Sequence, residues 1–475
     1  MIPDRLEFLT DPELPPKQLA RLFADVGEEL FLVGGSVRDA FLGRDVGDFD
    51  FATSARPERI ASILTSWADV VYDVGAAFGT VAGEKQGQKV EVTTYRKEIY
   101  RDDSRKPVVT YSDDIETDLS RRDFTVNAIA LSLDDLEAVD PHGGLRDIAT
   151  RTLRTPLDPE VSFTDDPLRM LRLFRFMATL DFRPDDRAVE AVTKMADRLE
   201  IISAERIRDE LSKLIVAPAP GEALNLMVRS GLADYYLPEL PRLAMEQDPY
   251  HRHKDVLAHT FAVVDKASPD LTLRLAALLH DIGKPDTREF GPRGVTFHHH
   301  EVVGARMARH RLKELRYPKE IISDVGQLVF LHLRPHTLKL GWTDSAVRRY
   351  VRDAGPLLEK LNELVRCDVT TANEKRERAI QSRIDELEER IAVLSEQEEL
   401  AKLRPPIDGH DVMEYLGIEP GPQVGEIMDL LLEKRIEDGP IPEQRAYSIA
   451  RDWAIGKGME DPGPPPGQSA DPGDG

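Results

Sequence analysis

The sequence predicts an α+β protein in which strands are concentrated in the first third of the chain. Two observations carry this. Residues 28–150 alternate short β-type runs, among them Leu30 to Val33, Val70 to Tyr72 and Val90 to Thr94, with helical segments. From about residue 156 onward, apolar residues recur at helical spacing almost without a break.

With 475 residues, the chain is long enough for roughly two to four domains. Its 41% hydrophobic and 31% charged content describes a soluble globular protein. The single cysteine, Cys367, excludes a disulfide framework and fits a reducing compartment. No stretch approaches the ~18 apolar residues of a membrane helix. The acidic start, MIPDRLEFLTDPELPP, lacks the layout of a signal peptide. A cytoplasmic location with no membrane partner is therefore expected. A net charge of −23 argues against a general nucleic-acid coat. It leaves room for one folded RNA held through local basic spots such as Arg96-Lys97, Arg105-Lys106, Arg121-Arg122 and Arg309 to Lys319.

Taken in order, residues 1–27 read as a helical lead-in with Leu19, Leu22 and Phe23 as its apolar stripe. Leu30 to Val33 is a buried strand that runs into Gly34-Gly35, and Ser36 opens a short helix over Val37 to Leu42. Two glycines at a strand-to-helix turn let backbone N–H groups approach an anion, and the helix N-terminus favours negative charge. A second strand follows with Asp48 and Asp50 two residues apart, so both carboxylates point the same way. Adjacent like charges favour a cation between them, and hard oxygen ligands suit Mg²⁺. A phosphate cradle beside a carboxylate-held metal is what nucleotidyl transfer needs.

Pro57 to Trp67 is a helix with proline in its first turn. In Val90 to Thr94, Glu91 lies on the face opposite Val90 and Val92. It is either a third carboxylate near Asp48 and Asp50 or an exposed strand glutamate. Residues 97–113 are charged and aperiodic, which predicts a mobile loop. The segment Asp118 to Ala128 then concentrates Arg121, Arg122, Asp123 and Asn127 among core residues, and arginines beside a cleft suit phosphates.

Asp165-Asp166-Pro167 starts a helix. Arg169, Arg172 and Arg175 follow at intervals of three, with Leu168, Leu171, Phe174 and Met177 between them, giving a basic face and an apolar one. Ser203 reads as the cap of a further helix. Residues 246–370 hold most of the histidines, and imidazoles with carboxylates from several helices can make a metal site. Ile380, Ile384, Leu387, Ile391 and Leu394 are heptad-like, predicting a helical arm over 373–404. Two short helices around a Gly-Pro turn are expected after Pro405-Pro406, and disorder over 460–475.

The stretch FLVGGSVRDAFLGRDVGDFDF resembles the first motif of class II tRNA nucleotidyltransferases, the CCA-adding enzymes, and of bacterial poly(A) polymerases. Asp118 to Ala128 (DLSRRDFTVNA) resembles the second motif, and Asp140 to Asp147 a turn that closes the head. Asp165-Asp166-Pro-Leu-Arg169 resembles the nucleotide-recognition motif, with Asp165 where the family usually has Glu. Ser203 to Leu211 resembles the last motif of head and neck.

The resemblance implies a small mixed-sheet, polymerase-β-like head followed by a helical neck, HD domain and tail. The implied divisions are 1–155 for the head, 156–245 for the neck, 246–370 for the HD domain, 371–459 for the arm and C-terminal RNA-side element, and 460–475 for the tail. It implies addition of C, C and A to the 3′ end of tRNA from CTP and ATP. Asp48 and Asp50 would hold Mg²⁺, and Glu91, if it is the third carboxylate, would stand beside them. Gly34, Gly35, Arg38 and Arg122 would take the phosphates. Asp166 and Arg169 would read the base from the helix that also carries Arg172 and Arg175.

The histidine order resembles HD-superfamily phosphohydrolases. Carried over, His259, His280, Asp281 and Asp368 would hold one divalent transition metal, and His300 and His332 would serve a second. The 97–113 segment matches a flexible loop tied in this family to the A-adding step. Poly(A) synthesis, CC-only or A-only addition, and a chain acting mainly through its HD domain are the alternatives, as is an HD domain kept only as structure.

Overall fold

The computed structural model describes residues 4–75, 79–101, 104–245, 255–291, 294–337, 343–369, 374–398 and 404–466. The chain forms two compact units. The first comprises Met1–Asp265, Pro269–Leu271 and His310–Lys319, and the second Lys266–Ser268, Thr272–Arg309 and Glu320–Gly475. No helix among the described residues is long and apolar enough to cross a membrane.

The first unit contains strands β1 (Leu30–Val33), β2 (Phe49–Thr53), β3 (Val70–Gly75), β4 (Thr80–Lys85), β5 (Gln88–Thr94), β6 (Arg96–Arg101), β7 (Ser104–Tyr111), β8 (Ala130–Ser132), β9 (Ala138–Val139), β10 (Thr152–Leu153) and β11 (Arg183–Pro184). Seven of them form one sheet in the order β3-β4-β5-β2-β1-β8-β9. The sheet is mixed. β1 runs antiparallel to both β2 and β8, whereas β2 pairs with β5 in parallel. A parallel neighbour needs a crossover, and the helix Pro57–Trp67 with β3 and β4 supplies it. Leu32, Phe51, Val90 and Val92 are buried, as alternation on a covered sheet requires.

Two expectations are corrected here. β4 was not anticipated. The 97–113 segment is not an irregular loop, because β6 and β7 form an antiparallel hairpin separate from the main sheet. Val108 and Val109 supply the β-branched run that the surrounding charges hid.

Helices dominate after residue 156. Asp165-Asp166-Pro167 leads into a helix as expected, with Pro167 at the N-cap of Leu168–Leu180 and neither acid in its first turn. It is the joint between Pro159–Asp165 and Leu168–Leu180, where the Asp166 side chain accepts from the Leu168 amide at 3.1 Å. Ser203 occupies the N-cap of Ala204–Ile215, but its hydroxyl makes no capping bond.

The second unit is helical apart from the hairpin of β12 (Arg288–Gly291) and β13 (Gly294–Phe297). The charged helix Glu374–Glu398 buries Ile384, Leu387 and Leu394 in this unit, and Arg366 holds it through Asp385 at 2.7 Å and Glu388 at 2.6 Å. Two helices, Gly409–Leu416 and Pro422–Asp438, follow as expected. A third, Glu443–Gly456, packs on them through Ala446, Ile449 and Ala450. The start of the expected disordered tail is tied down, since Arg451 pairs with Asp461 and the Tyr415 hydroxyl donates to the Gly463 carbonyl at 2.8 Å. Residues 467–475 lie outside the described residues.

Candidate active site

The head site is built at the end of β1. Gly34 has φ of +72°, a backbone conformation that favours glycine, and a Cβ there would lie 3.0 Å from Arg122 Nη1. The helix Gly35–Leu42 starts at once. Its Ser36 hydroxyl donates to the Asp48 carbonyl at 3.0 Å and accepts from the Asp50 amide at 3.1 Å, clamping the entry to β2. Asp48 lies at a bend just before β2, exposed, and not within the strand as simple alternation supposed. Asp50 is in β2, and its register partner on β5 is Glu91. The structure therefore brings Glu91 beside Asp50. Burial first, then the Glu91 carboxylate, push the Asp50 carboxyl up to about 6, with Arg122 opposing and Asp48 adding. Lys89 pairs with Glu91 at 2.9 Å.

Asp118 is buried and carries two guanidiniums, Arg121 Nη2 at 2.7 Å and Arg122 Nη2 at 3.0 Å. Two guanidiniums thus share one carboxylate, and Arg122 lies next to Gly34. Arg38 sits differently. It is buried, and it donates from Nη1 to Asn127 Oδ1 at 2.6 Å and from Nε and Nη2 to Asp39 at 3.0 and 2.8 Å.

The expected basic face of Leu168–Leu180 is an internal network. Arg169 is buried and donates to Ser162 Oγ at 2.8 Å and to the Arg121 carbonyl. Arg172 Nε donates to Asp123 Oδ2 at 2.9 Å, and Arg175 pairs with Glu210 at 2.8 Å. Both guanidiniums and that of Arg38 flank the Phe176 ring, at 5.3, 4.0 and 5.4 Å. Asp166 pairs with Arg206 at 2.8 Å. Sequence reasoning missed the roles of Asp118, Glu210 and Phe176. Only Asp118 had a local signal, standing three and four residues before Arg121 and Arg122.

In the second unit, Asp281, His300 and His332 are all buried and offer ligand atoms within 4.8 Å of one another. Each follows or opens a helix: Leu271–Leu279 ends just before His280 and Asp281, His300 begins His300–Glu314, and His332 follows Lys319–Leu331. The Nδ1 atoms of His280, His300 and His332 lie 2.8, 2.8 and 2.6 Å from the carbonyls of Ala277, Phe297 and Val329. Such bonds fix the tautomer and leave Nε2 as the ligand atom. His332 Nε2 is buried with no hydrogen-bond partner among the described residues, as suits a metal-ligating nitrogen.

His280 Nε2 lies 3.2 Å from Asp281 and 3.5 Å from Asp368. Burial disfavours its charged form, but these carboxylates outweigh that and push it up to about 10. Burial, helped by the His280 charge, lowers His332 to about 3. Asp281 is thus grouped with His300 and His332, not only with His280 and Asp368. His259 lies on the helix Val256–Lys266, half-buried.

Comparison with known proteins agrees with this geometry. A Poly A polymerase head domain matches residues 30–154, a probable RNA and SrmB-binding site of polymerase A matches 181–243, and an HD domain matches 256–388. An A-adding tRNA nucleotidyltransferase of Deinococcus radiodurans is 32% identical over 441 residues, covering 89% of this chain and 95% of that protein. A CCA-adding enzyme of Anoxybacillus flavithermus is 30% identical over 418 residues, covering 87% and 91%. The crystal structure of the Bacillus stearothermophilus CCA-adding enzyme in complex with CTP superimposes with a TM-score of 0.68 at 25% identity, covering 96% of this chain and 99% of that one. The chain belongs to the family of CCA-adding tRNA nucleotidyltransferases and their poly(A) polymerase relatives.

Proposed function

We propose that this enzyme adds C, C and A in turn to the 3′ end of tRNA from CTP and ATP, without a nucleic-acid template, releasing pyrophosphate. The observation that carries the reading is the pairing of Asp50 with Glu91 beside the Gly34 turn and Arg122. Asp48, Asp50 and Glu91 are hard oxygen donors, and both Glu91 and Asp48 raise the Asp50 carboxyl, a set whose chemistry suits Mg²⁺. Bound there, Mg²⁺ would lower the pKa of the terminal ribose hydroxyl, orient the triphosphate and stabilise the leaving pyrophosphate.

The protein's own groups do the rest. Gly34, Gly35 and Arg122 receive the phosphates, while Arg38 acts from beneath the turn. Asp166 and Arg169 read the base. Cytosine and adenine each present an amine donor and a ring-nitrogen acceptor, which match an aspartate and an arginine. Uracil and guanine present the reverse and leave buried groups unpaired. Arg172 and Arg175 hold this helix in place.

Relatives of this chain carry both A-adding and CCA-adding names. The β6–β7 hairpin favours the complete reaction over CC-only addition, because it offers a movable element beside the Asp118 to Ala128 segment. A buried Cys367 outside any disulfide suits work in a reducing compartment such as the cytoplasm. The test is incubation with tRNA lacking 0, 1, 2 or 3 terminal nucleotides plus CTP or ATP. Completion of every shortened substrate is expected. Extension that always stops at CC, or that starts only from CC, would overturn the complete reaction.

A second activity is favoured by the Asp281, His300 and His332 cluster. With His280 and Asp368 of the same unit as further ligands carried over from the HD pattern, it would hold a divalent transition metal, since imidazole suits such ions better than it suits Mg²⁺, and hydrolyse a phosphoester.

A further inference from the structure

Arg38 and Asp123 stand on different elements, and neither can bond to the other's partner without help. Arg38 lies on the helix that follows the Gly34 turn, and Asp123 receives Arg172 from the base-reading helix. One side chain lies between them. Asn127 accepts from Arg38 Nη1 at 2.6 Å and donates from Nδ2 to Asp123 Oδ1 at 3.0 Å. A guanidinium only donates and a carboxylate only accepts, so a side chain that satisfies both must accept at one end and donate at the other. The amide does this, and its orientation is dictated by its two partners. Around the joint, Asn127 and Asp123 are buried and Asp123 is also bonded by the Phe124 amide at 2.8 Å. Phe176 fills the space between Arg38 and Arg172.

We propose that Asn127 is a positioning residue that sets nucleotide specificity without touching the nucleotide. The path Arg38–Asn127–Asp123–Arg172 fixes the distance from the phosphate-binding turn to Asp166 and Arg169. A base is tested only if it arrives at the right separation from its own triphosphate, and that separation is a property of this path. The inference rests on the assignment of Asp166 and Arg169 as base readers. Replacing Asn127 by leucine removes both bonds while keeping the branching of the side chain. Replacing it by aspartate keeps an acceptor for Arg38 but sets two carboxylates against each other.

The experiment measures kcat and KM of the full-length enzyme for CTP and UTP on tRNA lacking its terminal nucleotides. It uses wild type, Asn127→Leu, Asn127→Asp and Arg169→Ala, with thermal melts of each. Both Asn127 variants are expected to lose at least tenfold of the CTP-over-UTP preference, chiefly through KM for CTP, while kcat at saturating CTP falls less than threefold. The isosteric aspartate variant serves if the leucine variant folds poorly. A role in stability alone would lower the melting temperature and leave the preference unchanged. Loss of preference in Arg169→Ala with none in either Asn127 variant overturns this inference and leaves the base readers standing. An unchanged preference in Arg169→Ala overturns the base-reader assignment, and the inference with it.

Discussion

Asp50 and Glu91 are register partners on two parallel strands, so their carboxylates lie side by side although 40 residues of sequence separate them. Asp48 joins them from the bend before β2. Asp48→Ala and Asp50→Ala should each abolish nucleotide addition and leave the fold intact. Losing a metal-held transition state raises the barrier by several kcal/mol, on the order of a thousandfold or more in rate. Glu91→Gln should slow addition less and raise the Mg²⁺ concentration needed for half-maximal rate. Single-turnover incorporation across a Mg²⁺ series checks all three, and near-normal rates in both aspartate variants would refute the assignment.

The β6–β7 hairpin should be the lever between adding C and adding A. One pocket must take first a pyrimidine and then a purine, and Asp166 with Arg169 are the same for both. Because the hairpin pairs with itself and not with the main sheet, it can shift without breaking the sheet's ladder. Replacing residues 99–110 by a Gly/Ser link should leave C addition largely intact and stop A addition. Normal completion of CCA by the shortened enzyme would exclude the hairpin as the switch.

The histidine cluster should retain a divalent transition metal through gel filtration. Asp281→Ala and His332→Ala should each release it, by metal analysis of the purified chains, and lose any phosphoesterase activity. Wild-type protein without metal or hydrolysis at any pH would favour a purely structural HD domain.

Asp118 gives the head a predictable acid limb. Burial raises its pKa, but Arg121 and Arg122 outweigh that and hold its carboxyl below the usual carboxylate value of 3.8. The folded pKa lies below the unfolded one, so the stabilisation is complete above the unfolded value. It is lost as pH falls through the depressed folded value. Asp118→Asn should cost about 3 kcal/mol at pH 7, because two guanidiniums lose their buried partner. The gap to wild type should shrink below pH 3.8. Urea melts at pH 7, 5 and 3 check this, and a gap that is constant across the series would contradict it.

Much of the head could be read directly. Leu30 to Val33, the Gly34-Gly35 turn and the helix Pro57–Trp67 each declare themselves through a local run, a required φ or a first-turn proline. Asp50 and Glu91 were legible as candidates, but their adjacency depends on strand order, which no local pattern carries. Arg169, Arg172 and Arg175 show the limit most clearly. Their spacing reveals that they share a helix face. It says nothing of Asp123 and Glu210, which approach from 49 residues before Arg172 and 35 residues after Arg175 and turn an apparent surface stripe into half-buried arginines paired with buried carboxylates. The hairpin was missed for a different reason, since charged residues on a two-stranded ribbon erase the alternation that marks a half-buried strand.

The order of the strands in the main sheet bears on how the protein is made. β1 lies between β2, which follows it closely, and β8, whose Ser132 faces Phe31 from far downstream. A ribosome releases Asp48 and Asp50 before Glu91, Arg122 or β8 exists to support them. Contacts of such high sequence separation form late, because closing the intervening loops costs entropy before any bond is gained. A nascent or prematurely terminated chain ending before Ser132 therefore holds its acidic pair on an unfinished sheet, with no closed head to bind a triphosphate. Catalytic competence therefore requires the whole head, and the helix Leu168–Leu180 beyond it, to have been synthesised.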